Sequence, residues 1–172
     1  RALHAAGGRY LQIDEVAQTL LCDEKLRAAV RARGDDPEKL IDLYIDLINR
    51  IVRARPAGMT VGVHMCRGNA MGKWIAEGGY ERIAEKTFSS LAVDAFFLEF
   101  DSERAGGFEP LRFIPKGKRV VLGLVSTKIP ALEERDFLRK KIDGAARFVS
   151  LENLSISPQC GFASHKKGTG LT

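Results

Sequence analysis

The chain alternates between short apolar segments and longer segments in which apolar residues recur every three or four positions. Short segments rich in Val, Ile, Leu and Phe are typical of strands that are buried on both faces of a sheet. Recurrence every three or four positions is typical of helices with one apolar face. The apolar segments predict strands at residues 9–14, 60–65, 94–100, 118–125 and 153–157. The periodic segments predict helices at residues 15–21, 24–32, 37–55, 80–91 and 133–149, and a helical turn at residues 108–114.

The longest predicted helix begins at Pro37, because Asp36 is a good N-cap residue and proline suits the first helical position. The Pro-Ala-Gly sequence at residues 56–58 ends it. Its apolar positions form one stripe along a helix of about five turns. These positions are Leu40, Leu43, Tyr44, Leu47, Ile48, Ile51 and Val52.

Strands that alternate with helices predict parallel βαβ units, so the predicted fold class is α/β. Residues with chemically active side chains lie at the C-terminal ends of the strands. They are Gln12, Asp14, His64, Cys66, Glu99 and Cys160. Active sites lie at this end of the strands in (β/α)8 TIM barrels. A doubly wound sheet would share the rule, but no glycine fingerprint for dinucleotides follows the first strand. We therefore predict a fold of the (β/α)8 TIM-barrel type.

The composition indicates one soluble domain spanning residues 1–172. With 45% hydrophobic and 28% charged residues, the chain can form a core and is not expected to be disordered. No apolar segment approaches the ~20 residues of a membrane span. The net charge of +5 is spread over several helices, which argues against nucleic-acid binding. We expect a cytoplasmic protein without membrane or nucleic-acid partners, and a mobile polar tail at residues 165–172.

The three cysteines are an odd and sparse set in a chain without a recognisable secretion signal, which argues against a disulfide framework. Metal binding or simple burial remains. Cys22 is expected to pack under the first helices, because a free cysteine behaves as a small apolar residue. His64 and Cys66 lie two positions apart at a strand end, so their side chains project from the same face. An imidazole and a thiol side by side form half of a zinc site.

Glu99 and Cys160, at the ends of two further strands, complete a set of one nitrogen, two sulfur and one oxygen ligands that zinc accepts. Two thiolates and one carboxylate make such a zinc ion poor at generating hydroxide and suited to holding a thiol as a thiolate. Glu99 is the ligand expected to give way, because a carboxylate is the hardest donor in a soft site. Each residue also has a structural alternative. His64 alone is compatible with a hydrogen-bonded core histidine, Cys160 alone with an inert thiol, and Glu99 alone with an ion pair to Arg104 or a nearby lysine.

Four ordered motifs resemble those of the cobalamin-independent methionine synthase family. They are Leu-Gln-Ile-Asp14-Glu15, His64-Met65-Cys66, Phe-Phe-Leu-Glu99-Phe100 and Ser-Pro-Gln-Cys160-Gly161. The motifs cover the whole chain at spacings in keeping with βα units. The resemblance implies a zinc-dependent methyltransferase that moves a methyl group from 5-methyltetrahydrofolate, or another donor, to the thiol of homocysteine and so forms methionine.

The resemblance also implies roles for individual residues. The zinc ion would be held by His64, Cys66, Glu99 and Cys160. Asp14 and His64 would be catalytic, with Asp14 facing the amino group of homocysteine; a structural carboxylate is the alternative for Asp14. Gln12, Asp14 and Glu99 would contact the substrate. The partners would be a homocysteine-like thiol and a folate-like methyl donor.

The chain departs from the long methionine synthases at several positions. Arg-Gly-Asn follows Cys66, Val16 stands where the family has proline, and Arg104 lies about two positions from the family's loop arginine. The His-Met-Cys-Arg-Gly-Asn form resembles short single-barrel relatives. Two alternatives therefore stay open: alkylation of a different thiol, as in epoxide–coenzyme M chemistry, and a truncated zinc-binding domain without catalysis.

Five strands are fewer than a barrel requires, since a complete (β/α)8 barrel has eight strands and usually about 250 residues. The five strands resemble the fourth to the eighth of such a barrel. An open half-barrel exposes unpaired backbone groups at two strand edges. We therefore expect the C-terminal part of a larger protein, or a truncated chain that pairs with another copy as a homo-oligomer.

Overall fold

Five parallel strands form a sheet in which the spatial order follows the order in the chain. The computed structural model describes residues 1–70 and 73–162. The strands are β1 (Tyr10–Asp14), β2 (Thr60–Met65), β3 (Ala95–Glu99), β4 (Arg119–Val125) and β5 (Leu154–Pro158). Each lies within one residue of its predicted ends. A doubly wound sheet reverses its strand order at a switch point, whereas this order runs in one direction, as it does around a barrel.

Helices connect the strands as predicted. Within the described residues they are α1 (Ala2–Ala5), α2 (Ala17–Leu20), α3 (Glu24–Ala32), α4 (Pro37–Arg53), α5 (Glu81–Ser90) and α6 (Arg135–Ala146). In the same described ranges, 3₁₀ helices lie at Glu103–Ala105, Glu109–Phe113 and Leu151–Asn153, and the second is the predicted helical turn. The sequence did not predict α1. The predicted mobility of residues 165–172 concerns a segment outside the described residues. No described helix is both long enough and apolar enough to cross a membrane.

Helix α4 begins as predicted but buries a narrower face than predicted. The Asp36 side chain caps it by accepting a hydrogen bond from the Glu38 amide at 2.9 Å. Its buried residues are Pro37, Ile41, Ile45, Ile48 and Val52. Leu43, Leu47 and Ile51 are 49%, 46% and 49% exposed, so the prediction of a single apolar stripe is wrong for these three. The apolar residues of α4 occupy a wide arc of the helix surface. The sheet and the neighbouring helices bury only part of this arc.

The two faces of the sheet have different roles. Outer-face side chains such as Val63, Phe96 and Leu122 are fully buried beneath the helices and form the core. The opposite face, which we call the inner face, carries Gln12, Asp14, Gly62, His64, Phe97, Glu99, Gly123 and Ser157. A Cβ atom at Gly62 would lie 2.8 Å from the Phe97 ring. Because residue 62 is a glycine, the Phe97 ring has room to lie across the inner face.

The sheet is open in the part of the chain that the structure describes. Strand β1 pairs with β2 alone, and β5 pairs with β4 alone. Tyr10 on β1 and Ile156 on β5 are 50% and 51% exposed. The five strands therefore form part of a barrel-type sheet, as the strand count predicted.

The buried and the exposed apolar residues of α4 should contribute differently to the free energy of unfolding. Ile41→Ala removes a fully buried side chain and should lower the free energy of unfolding by about 2–5 kcal/mol. Leu43→Ala, on the exposed flank, should cost less than about 1 kcal/mol. Urea denaturation followed by circular dichroism measures both, and equal losses would contradict the observed burial.

Candidate metal centre

His64 and Cys66 lie at the C-terminal end of β2, beside Asp14 of β1. Asp14 is in register with His64, and the Glu15 amide donates a hydrogen bond to the His64 carbonyl at 2.8 Å. This bond continues the parallel pairing past the end of β1. Cys66 is buried and His64 is half-buried. The Nε2 atom of His64 is buried and has no hydrogen-bond partner among the described residues, so one imidazole nitrogen is free to be a ligand.

Cys160 reaches the same place from the end of β5. The Gln159 amide donates to the Val125 carbonyl at 2.8 Å, and its side chain donates to the Gly123 carbonyl at 2.8 Å. A Cβ atom at Gly123 would lie 2.2 Å from the Gln159 side-chain nitrogen. Thr127 donates its hydroxyl to the Cys160 carbonyl at 2.5 Å. These contacts fix the backbone that carries the Cys160 thiol.

The three side chains form a compact donor set. One ligand atom from each of His64, Cys66 and Cys160 lies within 4.8 Å of the others. The two sulfur atoms are 3.4 Å apart, which is too far for a disulfide bond. Two thiolates about 2.3 Å from a tetrahedral zinc ion would be separated by roughly 3.8 Å. Small adjustments of the side chains would bring the donors to zinc distances, so the residues fit a zinc ion.

The electrostatics of the cluster favour a metal cation. The hydrogen bond between the Cys160 and Cys66 thiols, followed by the neighbouring His64 imidazole, holds the pKa of Cys160 well below its ordinary value. The same contact, with burial, raises the pKa of Cys66. Burial tends to lower the pKa of His64, but Cys160, Asp14 and Glu99 outweigh it and raise that pKa. The cluster thus stabilises a thiolate at Cys160, and a thiolate is the form of cysteine that binds metals.

Glu99 lies beside this donor set but not within it. Its carboxylate is fully buried. One oxygen accepts a hydrogen bond from the Arg67 amide at 3.0 Å, and the other pairs with the guanidinium of Arg104. The alternative of an ion pair to Arg104 is therefore the arrangement observed. The role of Glu99 as a metal ligand stays a prediction.

Gln12 and Asp14 stand on the inner face next to the donor set. The Gln12 side chain donates to the Asp14 carboxylate at 3.5 Å and accepts from the Tyr10 hydroxyl at 3.0 Å. Both residues line a cavity of about 280 Å³ that His64 and Cys160 also line. The structure thus brings Gln12, Asp14, His64 and Cys160 to the wall of one cavity, whereas the predicted residues Cys66 and Glu99 do not line it.

Sequence reasoning missed Arg67 and Tyr80. The Arg67 side chain is fully buried, lies 4.1 Å from the centre of the Tyr80 ring, and donates to the carbonyls of Gly78 and Ala105 at 2.6 and 3.1 Å. The Tyr80 hydroxyl donates to the Met65 carbonyl at 2.5 Å and accepts from the Glu99 amide at 2.8 Å. Tyr80 thus joins the ends of β2 and β3. The one feature of the sequence that could have drawn attention to Arg67 is its position directly after Cys66.

Cys22 is buried in the core cluster, as predicted. All three cysteines are free. Burial raises the pKa of Cys22 to about 11, so its thiol is protonated and unreactive at neutral pH.

Comparisons with known proteins extend these observations. Residues 1–170 match the family model described as the catalytic domain of cobalamin-independent synthase. The chain belongs to the cobalamin-independent methionine synthase family. The resemblance in its motifs is thereby confirmed. The family assignment is consistent with the donor set, because His64, Cys66 and Cys160 are three of the four residues that the resemblance implies as zinc ligands.

Two relatives and two solved structures place the chain within the family. The uncharacterized protein YxjH of Bacillus subtilis is 45% identical over 173 aligned positions, which are 100% of this chain and 46% of YxjH. The methionine synthase of Pyrococcus abyssi is 28% identical over 94% of this chain and 39% of its own length. A Listeria monocytogenes structure named as a vitamin-B12 independent methionine synthase has a TM-score of 0.74 and 35% identity, covering 97% of this chain and 46% of the other.

The second solved structure supports the fold. It is a B12-independent methionine synthase from Shewanella, with a TM-score of 0.65 and 23% identity, covering 92% of this chain and 43% of the other. The chain thus spans less than half the length of the relatives that it matches. The open edges of the sheet have a direct explanation in this shorter length.

The electrostatics of the cluster can be tested by thiol alkylation. In metal-free protein at pH 7, iodoacetamide should modify Cys160 first, because its lowered pKa supplies the reactive thiolate. Cys22 should react far more slowly than Cys160, because its thiol is buried and its pKa is raised to about 11. Peptide mass spectrometry over time measures the order. Added zinc should protect Cys160, and a Cys22 that reacts as fast as Cys160 would contradict the assignment.

Proposed function

We propose that this chain forms the metal-binding part of a zinc-dependent methyltransferase. The enzyme would transfer a methyl group from 5-methyltetrahydrofolate, or a related donor, to the thiol of homocysteine and so form methionine. The observation that carries the proposal is the meeting of His64, Cys66 and Cys160 within 4.8 Å, in a member of this family. The Pyrococcus relative is named methionine synthase, and the proposal extends that activity to this chain.

The donor set suits thiol activation better than hydrolysis. A bound zinc ion would supply a Lewis acid that holds a substrate thiol as its thiolate. His64 at the end of β2 and Cys160 just after β5 both line the inner-face cavity, so a metal ion held by them would face this cavity. A substrate can therefore enter from the cavity while the protein ligands stay in place. Glu99 would join this set as a fourth ligand.

Asp14 is positioned to orient an amino-acid thiol. Its carboxylate lies on the inner face, in register with His64 and exposed to the cavity. An ammonium group facing it would form a charge-assisted hydrogen bond, which is about twice as strong as a neutral one. Gln12, at 3.5 Å from the Asp14 oxygen, would hold the carboxylate in this direction. The thiol of the same ligand would then point toward His64 and Cys160.

Catalysis by this route needs more of the barrel than the described strands supply. The inner face is open at β1 and β5, and the chain matches 46% of YxjH. We propose that the remaining strands come from a longer protein, or that a second copy covers the open edges. The same shortness favours a second candidate function, in which the chain binds zinc without turnover.

Metal analysis tests the site itself. We expect one zinc ion per chain in the wild type, and a loss of at least about tenfold in zinc affinity for Cys66→Ser and Cys160→Ser, because each variant removes a thiolate ligand. Cys22→Ser is the matched control and should keep full stoichiometry, since Cys22 lies in the core. A wild type without zinc, or full affinity in both ligand variants, would show that the site assignment is wrong.

Activity should depend on Asp14 and on a complete barrel. The chain joined to the part of YxjH that it does not match should transfer a methyl group to homocysteine, whereas the chain alone should be much less active. Asp14→Asn in the joined protein should raise KM for homocysteine by about tenfold or more while zinc content is unchanged, because it removes one charged partner. Mass spectrometry of methionine formation measures both. Absence of turnover with every folate donor would reject methionine synthesis and leave the metal site standing.

A further inference from the structure

We infer that Arg104 is a positioning residue that competes with the metal for the carboxylate of Glu99 and thereby sets the affinity of the metal site. The inference rests on the zinc site proposed above and concerns how that site is controlled. Its basis is the observed position of Glu99, which lies next to the donor set and yet is paired with a guanidinium.

The carboxylate of Glu99 requires a partner in every state of the protein. Its side chain is 0% exposed and that of Arg104 is 13% exposed, so water cannot replace a lost ion pair. A buried charge without a partner is strongly unfavourable. The amide of Arg67 holds one carboxylate oxygen at 3.0 Å, which leaves the other oxygen to a cation. Arg104 is the cation that now occupies this role.

Glu99 also lies beside the donor set, because its carboxylate accepts a hydrogen bond from the amide of Arg67, the residue that directly follows Cys66. Its charge acts on both His64 and Cys66, and it is the last residue of β3, on the same inner face as His64. Because an arginine is charged at every accessible pH, Arg104 opposes the transfer of Glu99 to the metal under all conditions. A carboxylate is moreover the hardest donor in a thiolate-rich site. The free energies of binding Glu99 to Arg104 and to the metal ion are therefore expected to be similar. Removal of one side chain is then enough to change which of the two cations Glu99 binds.

The position of Arg104 depends on the segment that follows β2. Its guanidinium donates to the Ala76 carbonyl at 2.8 Å and lies 4.4 Å from the centre of the Trp74 ring. Its own carbonyl accepts from the Gly78 amide at 3.0 Å. Trp74 is 37% exposed. The exposed Trp74 ring thus orients Arg104, and Arg104 in turn pairs with Glu99. These two contacts link the surface of this segment to the metal site.

The ion pair could instead be purely structural, and the two roles differ in their effect on zinc. A structural pair, once broken, lowers the stability of the protein without changing its affinity for zinc. A competing pair, once broken, releases a buried carboxylate that gains most by binding the metal. Zinc affinity and the number of oxygen ligands are therefore the decisive readouts.

The experiment measures zinc dissociation constants by competition with a chromophoric chelator, and the ligand set by X-ray absorption. The variants are Arg104→Gln, Glu99→Gln and the double variant. Arg112→Gln is the matched control, since Arg112 forms an exposed ion pair with Glu81. We expect Arg104→Gln to bind zinc at least about tenfold more tightly, which is ~1.4 kcal/mol, with an added oxygen ligand. The double variant should lose this gain, and the control should match the wild type.

A second variant keeps the test decisive if Arg104→Gln does not fold. Trp74→Ala removes the ring that orients Arg104 but leaves every charge in place, and it should tighten zinc binding by a smaller factor. Arg104→Lys should fall between the wild type and Arg104→Gln, because lysine keeps the charge but not the planar fork. Unchanged zinc affinity in all of these variants, with one zinc ion bound, would overturn the inference while the metal site stands. A wild type that binds no zinc would overturn both.

Discussion

The parallel pairing of neighbouring strands is the constraint on which the rest of the structure depends. Each strand pairs with the next one along the chain, so all five C-terminal ends meet at one edge of the sheet. Residues separated by 94 positions, Cys66 and Cys160, therefore come within 3.4 Å of each other. A parallel connection needs a crossover of about a dozen residues or more, which the helices supply. The donor set is a product of this topology.

Buried polar groups fix the strand ends that the topology brings together. Tyr80 bridges β2 and β3 through its hydroxyl, and the guanidinium of Arg67 satisfies carbonyl groups of two loops. Each buried carbonyl would otherwise lose its hydrogen bonds to water. At the other end of the sheet, Gln159 binds the Gly123 carbonyl and locks the segment that carries Cys160. The candidate metal ligands are thus held by hydrogen bonds rather than by apolar packing alone.

Glu99 shows why the ligand set could be predicted only in part. Its residue type and its place at a strand end are visible in the sequence, and they favour a metal ligand. The partner of its carboxylate is Arg104, whose guanidinium lies against the Trp74 ring, and both of these residues lie outside the strands. Helix α4 shows the same limit, because Leu43 and Ile45 are equally apolar in the sequence and only the neighbours present in space decide which one is buried.

The sequence by itself determined the strands, the parallel α/β class, the family and the candidate ligands, because these follow from short-range periodicity and from ordered motifs. Tertiary structure decided which ligands meet, how Arg67 and Tyr80 support them, and which cation holds Glu99. It also decided that the sheet ends at β1 and β5 in the described part of the chain. Local patterns specify how a segment folds, whereas distances between side chains from distant segments are set only when the whole sheet is assembled.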